Sequence, residues 1–297
     1  MSKVLVTGGC GFIGSNLVDM LVERGDEVVV IDNLITGSKD NCNEKAKYIF
    51  EDYRAVLNSV LKLRESSSLL SGVEVIYHLA AMPRIQPSFE SPVYTFENNS
   101  SGTVTVCEFA KKSGARVVYA GSSSYYGGVY LNPYSFSKWV GEEICKLYSE
   151  VYGVSTAIAR FFNVYGPRHL SEGAYSTVVA IFERQYSSGS PLTITGDGEQ
   201  RRDFTHVYDI CSGLIAMGKS VHKSEVYNLG TGKNYSINEL AQMFSDLAEG
   251  GCQLKYIDAR PGEARITLAD TAKIRDETGW FAAHGLLQYV RQLDTKK

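Results

Sequence analysis

The sequence predicts an α/β protein with a doubly wound parallel sheet and a smaller C-terminal α/β lobe. Apolar runs rich in β-branched residues alternate with segments of helical periodicity from residue 3 to residue 160. This alternation is typical of parallel strands joined by right-handed crossover helices. After Arg160 the rhythm changes to a loop containing glycine and proline and then to shorter segments, which indicates a second lobe at the carboxyl edge of the sheet.

The first crossover carries the signature of a dinucleotide site. An apolar strand at residues 3–6 runs into four glycines between residues 8 and 14 and then into a helical pattern. Glycine is needed there because the backbone turns tightly and because a Cβ would block a pyrophosphate from the helix N-terminus. The next strand, residues 27–31, ends at Asp32, about 20 residues on, where a carboxylate accepts hydrogen bonds from the adenosine ribose. These features predict a Rossmann domain that prefers NAD to NADP, because a carboxylate repels a 2′-phosphate.

The remaining elements of the large sheet follow from apolar periodicity. Pro83 and Pro87 are expected to keep the chain non-helical until residue 92, because proline lacks an amide N–H. The expected strands are 48–50, 74–77, 116–119 and 155–159, and the expected helices are 55–64, 92–112 and 133–152.

The C-terminal part is predicted in shorter pieces. Asp209 is expected to be the N-cap of its helix. The expected helices are 176–186, 209–219 and 237–247, with further helices at the end, and the expected strands are 192–195, 203–207, 226–229 and 253–257. Since no linker separates the halves, we expect an NAD-binding domain over 1–165, to which 204–229 returns, and a substrate lobe formed by 166–203 and 230–297.

Composition excludes several classes of function. A net charge of −3 gives no reason to expect nucleic acid or an anionic membrane as a partner. The chain has no apolar run of transmembrane length, and its N-terminus enters a strand directly, so neither a membrane span nor a signal peptide is expected. The six cysteines lack a CxxC pair, which favours reduced thiols in the cytoplasm and no metal site.

A candidate catalytic pair follows the strand that ends near Ser122. Tyr134 and Lys138 are four positions apart, which places both side chains on one helix face. A nearby ammonium is expected to lower the pKa of the phenol from its usual value of about 10, so that Tyr134 serves as a general base. His78 and His206 are expected to be structural.

Several motifs, in order, are similar to those of one enzyme family. They are residues 7–15 (TGGCGFIGS), 78–81 (HLAA), 134–138 (YSFSK), 160–168 (RFFNVYGPR), 196–207 (GDGEQRRDFTHV) and 260–263 (RPGE). Over nearly its whole length the chain resembles the extended short-chain dehydrogenase/reductases that act on nucleotide sugars, the NDP-sugar epimerase/dehydratase family. The resemblance implies NAD as cofactor, a nucleotide-diphosphate sugar as substrate, and a homodimer.

The resemblance also implies individual roles. Tyr134 is the base, Lys138 binds the nicotinamide ribose, and Ser122 hydrogen-bonds the sugar hydroxyl. The residues expected to contact NAD are Gly8, Gly11, Phe12, Ile13, Gly14, Asp32, Asn33, Asp52, Tyr53, Leu79, Ala80, Ala81, Asn99, Tyr134 and Lys138. The residues expected to contact the nucleotide sugar are Ser122, Ser123, Asn163, Arg202, Arg260 and Thr267. Of the latter, Asn163 and both arginines are expected on the diphosphate, and Thr267 beside C2 of the sugar.

Two departures from the family pattern narrow the function. Ser123 and Ser124 stand where the family's dehydratases and decarboxylases carry a glutamate, which disfavours both reactions. The connection at residues 128–132 is much shorter than in relatives, which weakens any analogy about the sugar. The sequence therefore favours NAD-dependent epimerisation at C4 through a 4-keto intermediate. A 4-keto-sugar reductase and a non-catalytic NAD-binding sensor remain the alternatives.

Overall fold

The computed structural model describes residues 1–63, 68–259 and 261–294. The strands are β1 Lys3–Thr7, β2 Glu27–Ile31, β3 Lys47–Ile49, β4 Val75–His78, β5 Arg116–Ser122, β6 Thr156–Phe161, β7 Asn163–Tyr165, β8 Leu192–Thr195, β9 Arg201–His206, β10 Glu225–Leu229, β11 Asn234–Ser236 and β12 Leu254–Ile257. The helices are α1 Phe12–Glu23, α2 Tyr53–Leu63, α3 Ile85–Glu90, α4 Pro92–Phe96, α5 Gly102–Ser113, α6 Ser124–Gly127, α7 Pro133–Tyr152, α8 Val178–Ser187, α9 Val207–Lys219, α10 Ile237–Ser245, α11 Ala272–Thr278 and α12 Leu286–Asp294. A 3₁₀ turn lies at Lys39–Asn41, and a π-helix at Glu97–Ser101.

A parallel seven-stranded sheet confirms the predicted fold class. Its strand order is β10-β6-β5-β4-β1-β2-β3, and every neighbouring pair is parallel. Its inner strands are apolar on both faces, because helices cover both sides of the sheet. The chain moves outward from β1 to β3 and then crosses to β4, so the strand order reverses between β1 and β4. In such sheets the crevice at that reversal, outside the carboxyl ends of the strands, is where ligands bind.

In the described ranges, buried apolar side chains form three cores. Helices α1 and α9 pack on one face of the large sheet around Leu17, Leu21 and Leu214, and helices α2, α5 and α7 pack on the other. The third core joins α8, α10 and α12 to two small sheets, β7-β9-β11 and β8-β12. Among the described helices, none combines the length and apolarity that crossing a membrane requires. All six cysteines are free thiols.

The segment after β4 differs from the prediction. Instead of a loop, residues 85–90 form α3, with Pro87 in its first turn, where a missing amide removes no intrahelical hydrogen bond. The helix expected over 92–112 is divided into α4, the π-helix and α5. The hydroxyl of Tyr53 donates a hydrogen bond to the carbonyl of Asn98 in this π-helix, and a Cβ at Gly102 would collide with that hydroxyl. Inserted side chains of this kind disturb a helical ladder.

The start of α9 also differs from the prediction. His206, rather than Asp209, caps the helix, and its Nδ1 accepts a hydrogen bond from the backbone amide of Tyr208 at 3.2 Å. Asp209 is buried inside the first turn, and its carboxylate accepts hydrogen bonds from the backbone amides of Ala283 and His284. The aspartate therefore fastens the C-terminal segment to α9.

Candidate active site

A cavity of about 480 Å³ crosses the carboxyl ends of the central strands and continues to the two small sheets. Its wall contains the glycine turn, the ends of β2 and β5, the loop after β4, and residues of β7, β8 and β9. The sequence-predicted residues that line it are Gly8, Gly11, Phe12, Ile13, Gly14, Asp32, Asn33, Tyr53, Leu79, Ala80, Ala81, Ser122, Ser123, Tyr134, Lys138, Asn163, Arg202 and Thr267. The fold thus brings residues from distant parts of the sequence to one cleft.

The glycine turn has the shape that a dinucleotide requires. A Cβ on Gly14 would lie 2.0 Å from the carbonyl oxygen of Gly8, so Gly14 is needed for α1 to pack on the turn. Gly8 has a φ of 76° and approaches the backbone of Ala80 closely. Among the described residues and apart from its chain neighbours, a Cβ on Gly11 would meet one atom within 4 Å, the Gly8 oxygen at 3.4 Å, and Gly11 lines the cavity. The turn therefore keeps open the space at the N-terminus of α1 where a pyrophosphate binds.

Asp32 lies at the end of β2, buried beside the glycine turn. Its Oδ2 accepts a hydrogen bond from the Cys10 amide at 2.9 Å, and its Oδ1 accepts one from the Leu34 amide at 2.8 Å. Each carboxylate oxygen has further acceptor capacity, so these bonds leave room for ribose hydroxyls. Asn33 and Glu51 line the same end of the cavity.

Two residues predicted to contact the cofactor face elsewhere. Both lie in the described part of the chain, yet neither Asp52 nor Asn99 lines the cavity. The carboxylate of Asp52 binds the guanidinium of Arg54, with an Nη2 to Oδ2 distance of 2.6 Å. The amide of Asn99 is held by both backbone groups of Met82, at 2.7 and 3.1 Å, so it shapes the loop after β4 that forms the cavity wall.

Tyr134 and Ser122 meet at the carboxyl end of β5. Asn132 caps α7 and thereby places Tyr134 in its first turn, and the side chains of Tyr134 and Ser122 both line the cavity. The Ser122 hydroxyl accepts a hydrogen bond from the Ser124 amide at 3.2 Å. Burial raises the pKa of Tyr134, while the Ser122 hydroxyl and the charge of Arg84 oppose that rise. The expectation that Lys138 lowers the pKa of Tyr134 was therefore wrong. Burial outweighs the nearby charges, and the cation that lowers this pKa is Arg84.

Lys138 lies one turn further along α7, almost fully buried. Its Nζ is 4.3 Å from the centre of the Tyr119 ring, a distance typical of a cation–π contact. Burial lowers the pKa of Lys138 to about 8, and the charge of Glu142 partly offsets that effect. Burial of the Lys138 ammonium costs free energy, yet the residue lines the cleft. Ionisable groups whose pKa is shifted in this way are common in functional sites.

The end of the cavity next to β7, β8 and β9 is polar and contains the ion pair of Arg202 and Glu263. The buried guanidinium of Arg202 donates to the carbonyls of Arg201 and Arg265, and its Nη2 is 3.4 Å from a carboxylate oxygen of Glu263. Thr267 is also buried there, next to the start of β9. Arg260, the second arginine predicted for the diphosphate, lies outside the described residues.

The structure adds lining residues that sequence reasoning missed. Arg84 follows β4, has a φ of 78° that is unusual for a side chain other than glycine, and donates from Nε to the carbonyl of Tyr175 at 3.1 Å. Nothing in the sequence shows such a backbone conformation. Glu263, by contrast, lies in the RPGE motif, and its proximity to a family arginine was the signal that could have found it.

Comparisons with known proteins agree with this geometry. Residues 4–230 match the NAD dependent epimerase/dehydratase family. A Methanocaldococcus jannaschii protein provisionally named a UDP-glucose 4-epimerase is 36% identical over 98% of this chain and 96% of its own length. UDP-glucuronic acid decarboxylase 1 of Xenopus tropicalis is 33% identical over 94% of this chain and 68% of its own length. The crystal structure of UDP-glucose 4-epimerase from Thermotoga maritima with UDP-glucose has a TM-score of 0.90 and 28% identity, covering 99% of this chain and 97% of that one.

The family match extends from β1 to the end of β10, so it includes both the glycine turn and the helix that carries Tyr134 and Lys138. The space left open at Gly11 fits the pyrophosphate of a dinucleotide. This chain therefore belongs to the NAD-dependent epimerase/dehydratase family of enzymes, and NAD is its cofactor.

Proposed function

We propose that the protein epimerises a nucleotide-diphosphate sugar at C4. The observation that carries this proposal is that Tyr134, Ser122 and Lys138 line the same cavity as Arg202, with Lys138 one helical turn after Tyr134. A proton acceptor, a hydroxyl that orients it and a fixed cation are the groups that reversible oxidation of an alcohol requires from the protein.

In this proposal the chain's own residues handle the proton and the geometry. Bound NAD supplies a reversible hydride acceptor. Tyr134 takes the proton of the C4 hydroxyl, Ser122 orients that hydroxyl, and Lys138 holds the nicotinamide ribose. Once the 4-keto sugar had turned its other face toward the nicotinamide site, Tyr134 would return the proton to the C4 oxygen. The substrate ends as its C4 epimer, with no net change in the cofactor.

The end of the cavity next to β7, β8 and β9 is proposed to hold the diphosphate while the sugar ring rotates. We place the diphosphate beside Asn163 and Arg202, with Arg260 as a further ligand, because guanidinium groups fit phosphate oxygens geometrically. Arg202 is held by two carbonyls, so its guanidinium is already oriented. A fixed diphosphate leaves the sugar as the part that moves, and it retains the keto intermediate between the two hydride steps.

The polar groups near Tyr134 favour epimerisation over elimination or decarboxylation. Ser123 and Ser124 follow Ser122, and neither hydroxyl is an acid or base near neutral pH. In the described part of the chain, the carboxylates that line the cavity are Asp32, Glu51 and Glu263. The first two lie at the adenosine end, and the third pairs with Arg202. This arrangement supports a reaction that needs one proton acceptor at the sugar.

We further propose a two-lobe organisation and a homodimer. The NAD-binding lobe comprises residues 1–165 with a return over 204–229, and the substrate lobe comprises 166–203 and 230–297. Helix α7 presents Leu147, Val151 and Tyr152 with more than half of each side chain exposed, at 52%, 60% and 52%. Apolar residues exposed at helical spacing support an association through this face.

The test is incubation of the purified protein with UDP-, dTDP- and GDP-hexoses and NMR analysis of the products. We expect a C4 epimer without net consumption of NAD or NADH. Formation of NADH in proportion to a 4-keto sugar would indicate the reverse reaction of a keto-sugar reductase. A 4-keto-6-deoxy sugar formed from a hexose, or a pentose formed with release of CO₂ when UDP-glucuronic acid is supplied, would contradict the proposal. Tyr134→Phe serves as the inactive control.

A further inference from the structure

A buried ion pair lies behind the candidate catalytic residues. Glu142 of α7 and Arg160 of β6 expose 1% and 7% of their side chains. Arg160 Nη2 is 2.6 Å from Glu142 Oε2, and its Nε is 3.1 Å from both carboxylate oxygens. The pair is therefore multiply hydrogen-bonded as well as buried, which is the arrangement in which such a pair fixes geometry.

The carboxylate of this pair contacts the catalytic helix and the catalytic strand together. Glu142 is four residues after Lys138, so the two side chains share one face of α7. On the strand side, a Cβ on Gly121 would lie 2.8 Å from Glu142 Oε1. The glycine immediately before Ser122 thus makes room for the carboxylate.

The guanidinium of the pair holds the segment after Ser122. The Cζ atom of Arg160 is 3.4 Å from the centre of the Tyr125 ring, and its Nη1 is 3.2 Å from the Tyr126 hydroxyl. Tyr126 in turn donates to Asn228 on β10 at 2.8 Å. Both tyrosines belong to α6, the short helix that starts two residues after Ser122.

We propose that Glu142 and Arg160 form a positioning unit that holds the helix carrying Tyr134 and Lys138 in register with the strand end carrying Ser122. Neither residue lines the cavity in the described part of the chain, so both act through their neighbours. The inference rests on the proposed roles of Tyr134 and Lys138, but not on which sugar is the substrate. The pair sets two quantities: the alignment of Tyr134 with Ser122, and the charge state of Lys138.

The charge environment of Lys138 makes the second effect measurable. The groups that face it are Tyr119 of β5, His78 of β4, and Glu142 and Cys145 of its own helix. Glu142 is the carboxylate that raises the pKa of Lys138 against the effect of burial. When that charge is removed, Lys138 loses its proton at a lower pH, so any process that needs the ammonium fails earlier as pH rises.

The first experiment compares Glu142→Gln with wild type. We expect kcat to fall at least tenfold with a much smaller change in KM, and the alkaline limb of the pH profile to move to lower pH. NAD affinity measured by calorimetry between pH 6 and 9 should decline at the same lower pH. Glu143→Gln is the matched control, because Glu143 is the next residue of α7 and pairs with Lys146 at the surface. An unchanged kcat and pH profile in Glu142→Gln would overturn the proposal.

A double variant separates positioning from simple stability. Removing one partner of a buried pair leaves an uncompensated charge, whereas replacing both with neutral side chains is often tolerated. We expect Glu142→Gln/Arg160→Met to regain thermal stability relative to Glu142→Gln without regaining kcat or the wild-type pH profile. A folded double variant with wild-type kcat would show that the pair is purely structural. If that variant does not fold, Glu142→Asp decides: a loss of kcat with the alkaline limb unchanged supports the proposal, and wild-type kcat overturns it.

The two proposals fail in different ways. If wild type converts no nucleotide sugar, the proposed function fails, and the pH dependence of NAD affinity still tests the pair. If wild type epimerises a sugar but Glu142→Gln matches it in kcat, pH profile and NAD affinity, the positioning unit fails while the function stands.

Discussion

The carboxylate of Asp32 accepts a hydrogen bond from the backbone amide of Cys10 at 2.9 Å. Asp32, which directly follows β2, therefore also stabilises the glycine turn, and its side chain links the two parts of a dinucleotide site. Its charge and its hydrogen bond are separable by mutation, because asparagine keeps an acceptor and loses the charge.

Asp32→Ala is expected to weaken NAD binding more than NADP binding. Alanine removes the acceptor for the ribose hydroxyls of NAD, and it also removes the charge that repels the 2′-phosphate of NADP. Calorimetry with both cofactors measures the two changes, with Asp32→Asn as the intermediate case. Equal losses of affinity for NAD and NADP would mean that Asp32 stabilises the glycine turn but does not contact the adenosine ribose.

Gly11→Ala is expected to lose NAD affinity, whereas Gly14→Ala is expected to lose thermal stability. A Cβ at Gly11 fits the protein but enters the space kept for the pyrophosphate, so this variant should fold normally and lose most of its NAD affinity. A Cβ at Gly14 would lie 2.0 Å from the Gly8 oxygen, so that variant should lose thermal stability. Thermal unfolding without cofactor and NAD titration test the pair. Normal NAD affinity in Gly11→Ala would show that the pyrophosphate of NAD does not bind at this turn.

Tyr134→Phe is expected to reduce turnover by roughly 10²–10⁴-fold, the usual contribution of a general base. Phenylalanine keeps the buried ring and removes the hydroxyl, so folding and NAD affinity should change little. Steady-state kinetics on the substrate found by NMR measure the effect. Tyr130→Phe is the matched control, because its side chain is 81% exposed. Near-normal turnover in Tyr134→Phe would place the base elsewhere.

His78 is expected to make the fold sensitive to acid. Burial and the charge of Lys138 lower its pKa to about 3, whereas an unfolded histidine titrates near 6.5. Below pH 6.5, His78 binds a proton in the unfolded chain but stays neutral in the folded chain. The free energy of unfolding therefore falls as pH falls toward 3. The slope is about 1.4 kcal/mol per pH unit.

Urea unfolding at pH 6.5 and pH 5 tests this linkage. His78→Gln should lose about 2 kcal/mol less than wild type between the two pH values, whatever its stability at pH 6.5. His222→Gln is the control, because that histidine is exposed. Identical pH dependence in wild type and His78→Gln would contradict the assignment.

Thr267→Tyr is expected to narrow the sugar pocket. Thr267 is small, buried and lines the cavity, so the wild type is expected to accept an N-acetyl group at C2 of the sugar, and a tyrosine there is expected to exclude it. Comparing kcat/KM for a hexose nucleotide and its N-acetylated counterpart, in wild type, Thr267→Tyr and Thr267→Val, measures the change. If the ratio is the same in all three, Thr267 does not face the sugar.

Some elements were predictable because their physics is local. The strand Glu27–Ile31 and the helix Pro133–Tyr152 have the predicted bounds, since one is a continuous apolar run and the other begins with a proline after an asparagine cap. The strands Asn163–Tyr165 and Asn234–Ser236 were not predicted. Three residues show no periodicity, and each strand is defined by its pairing with the distant strand Arg201–His206.

The sequence by itself determined the fold class, the family and the residue types of the site. Glycine at a turn, an acid at a strand end and a tyrosine four residues before a lysine are required by chemistry at fixed spacing, so they can be read directly. Only the tertiary structure decided how these groups behave. The raised pKa of Tyr134, the strained backbone of Arg84, the attachment of Asn99 to Met82 and the pairing of Glu142 with Arg160 depend on burial and on contacts between residues far apart in the chain. These properties arise only after distant segments of the chain have packed together and excluded water. A local sequence pattern therefore cannot predict them.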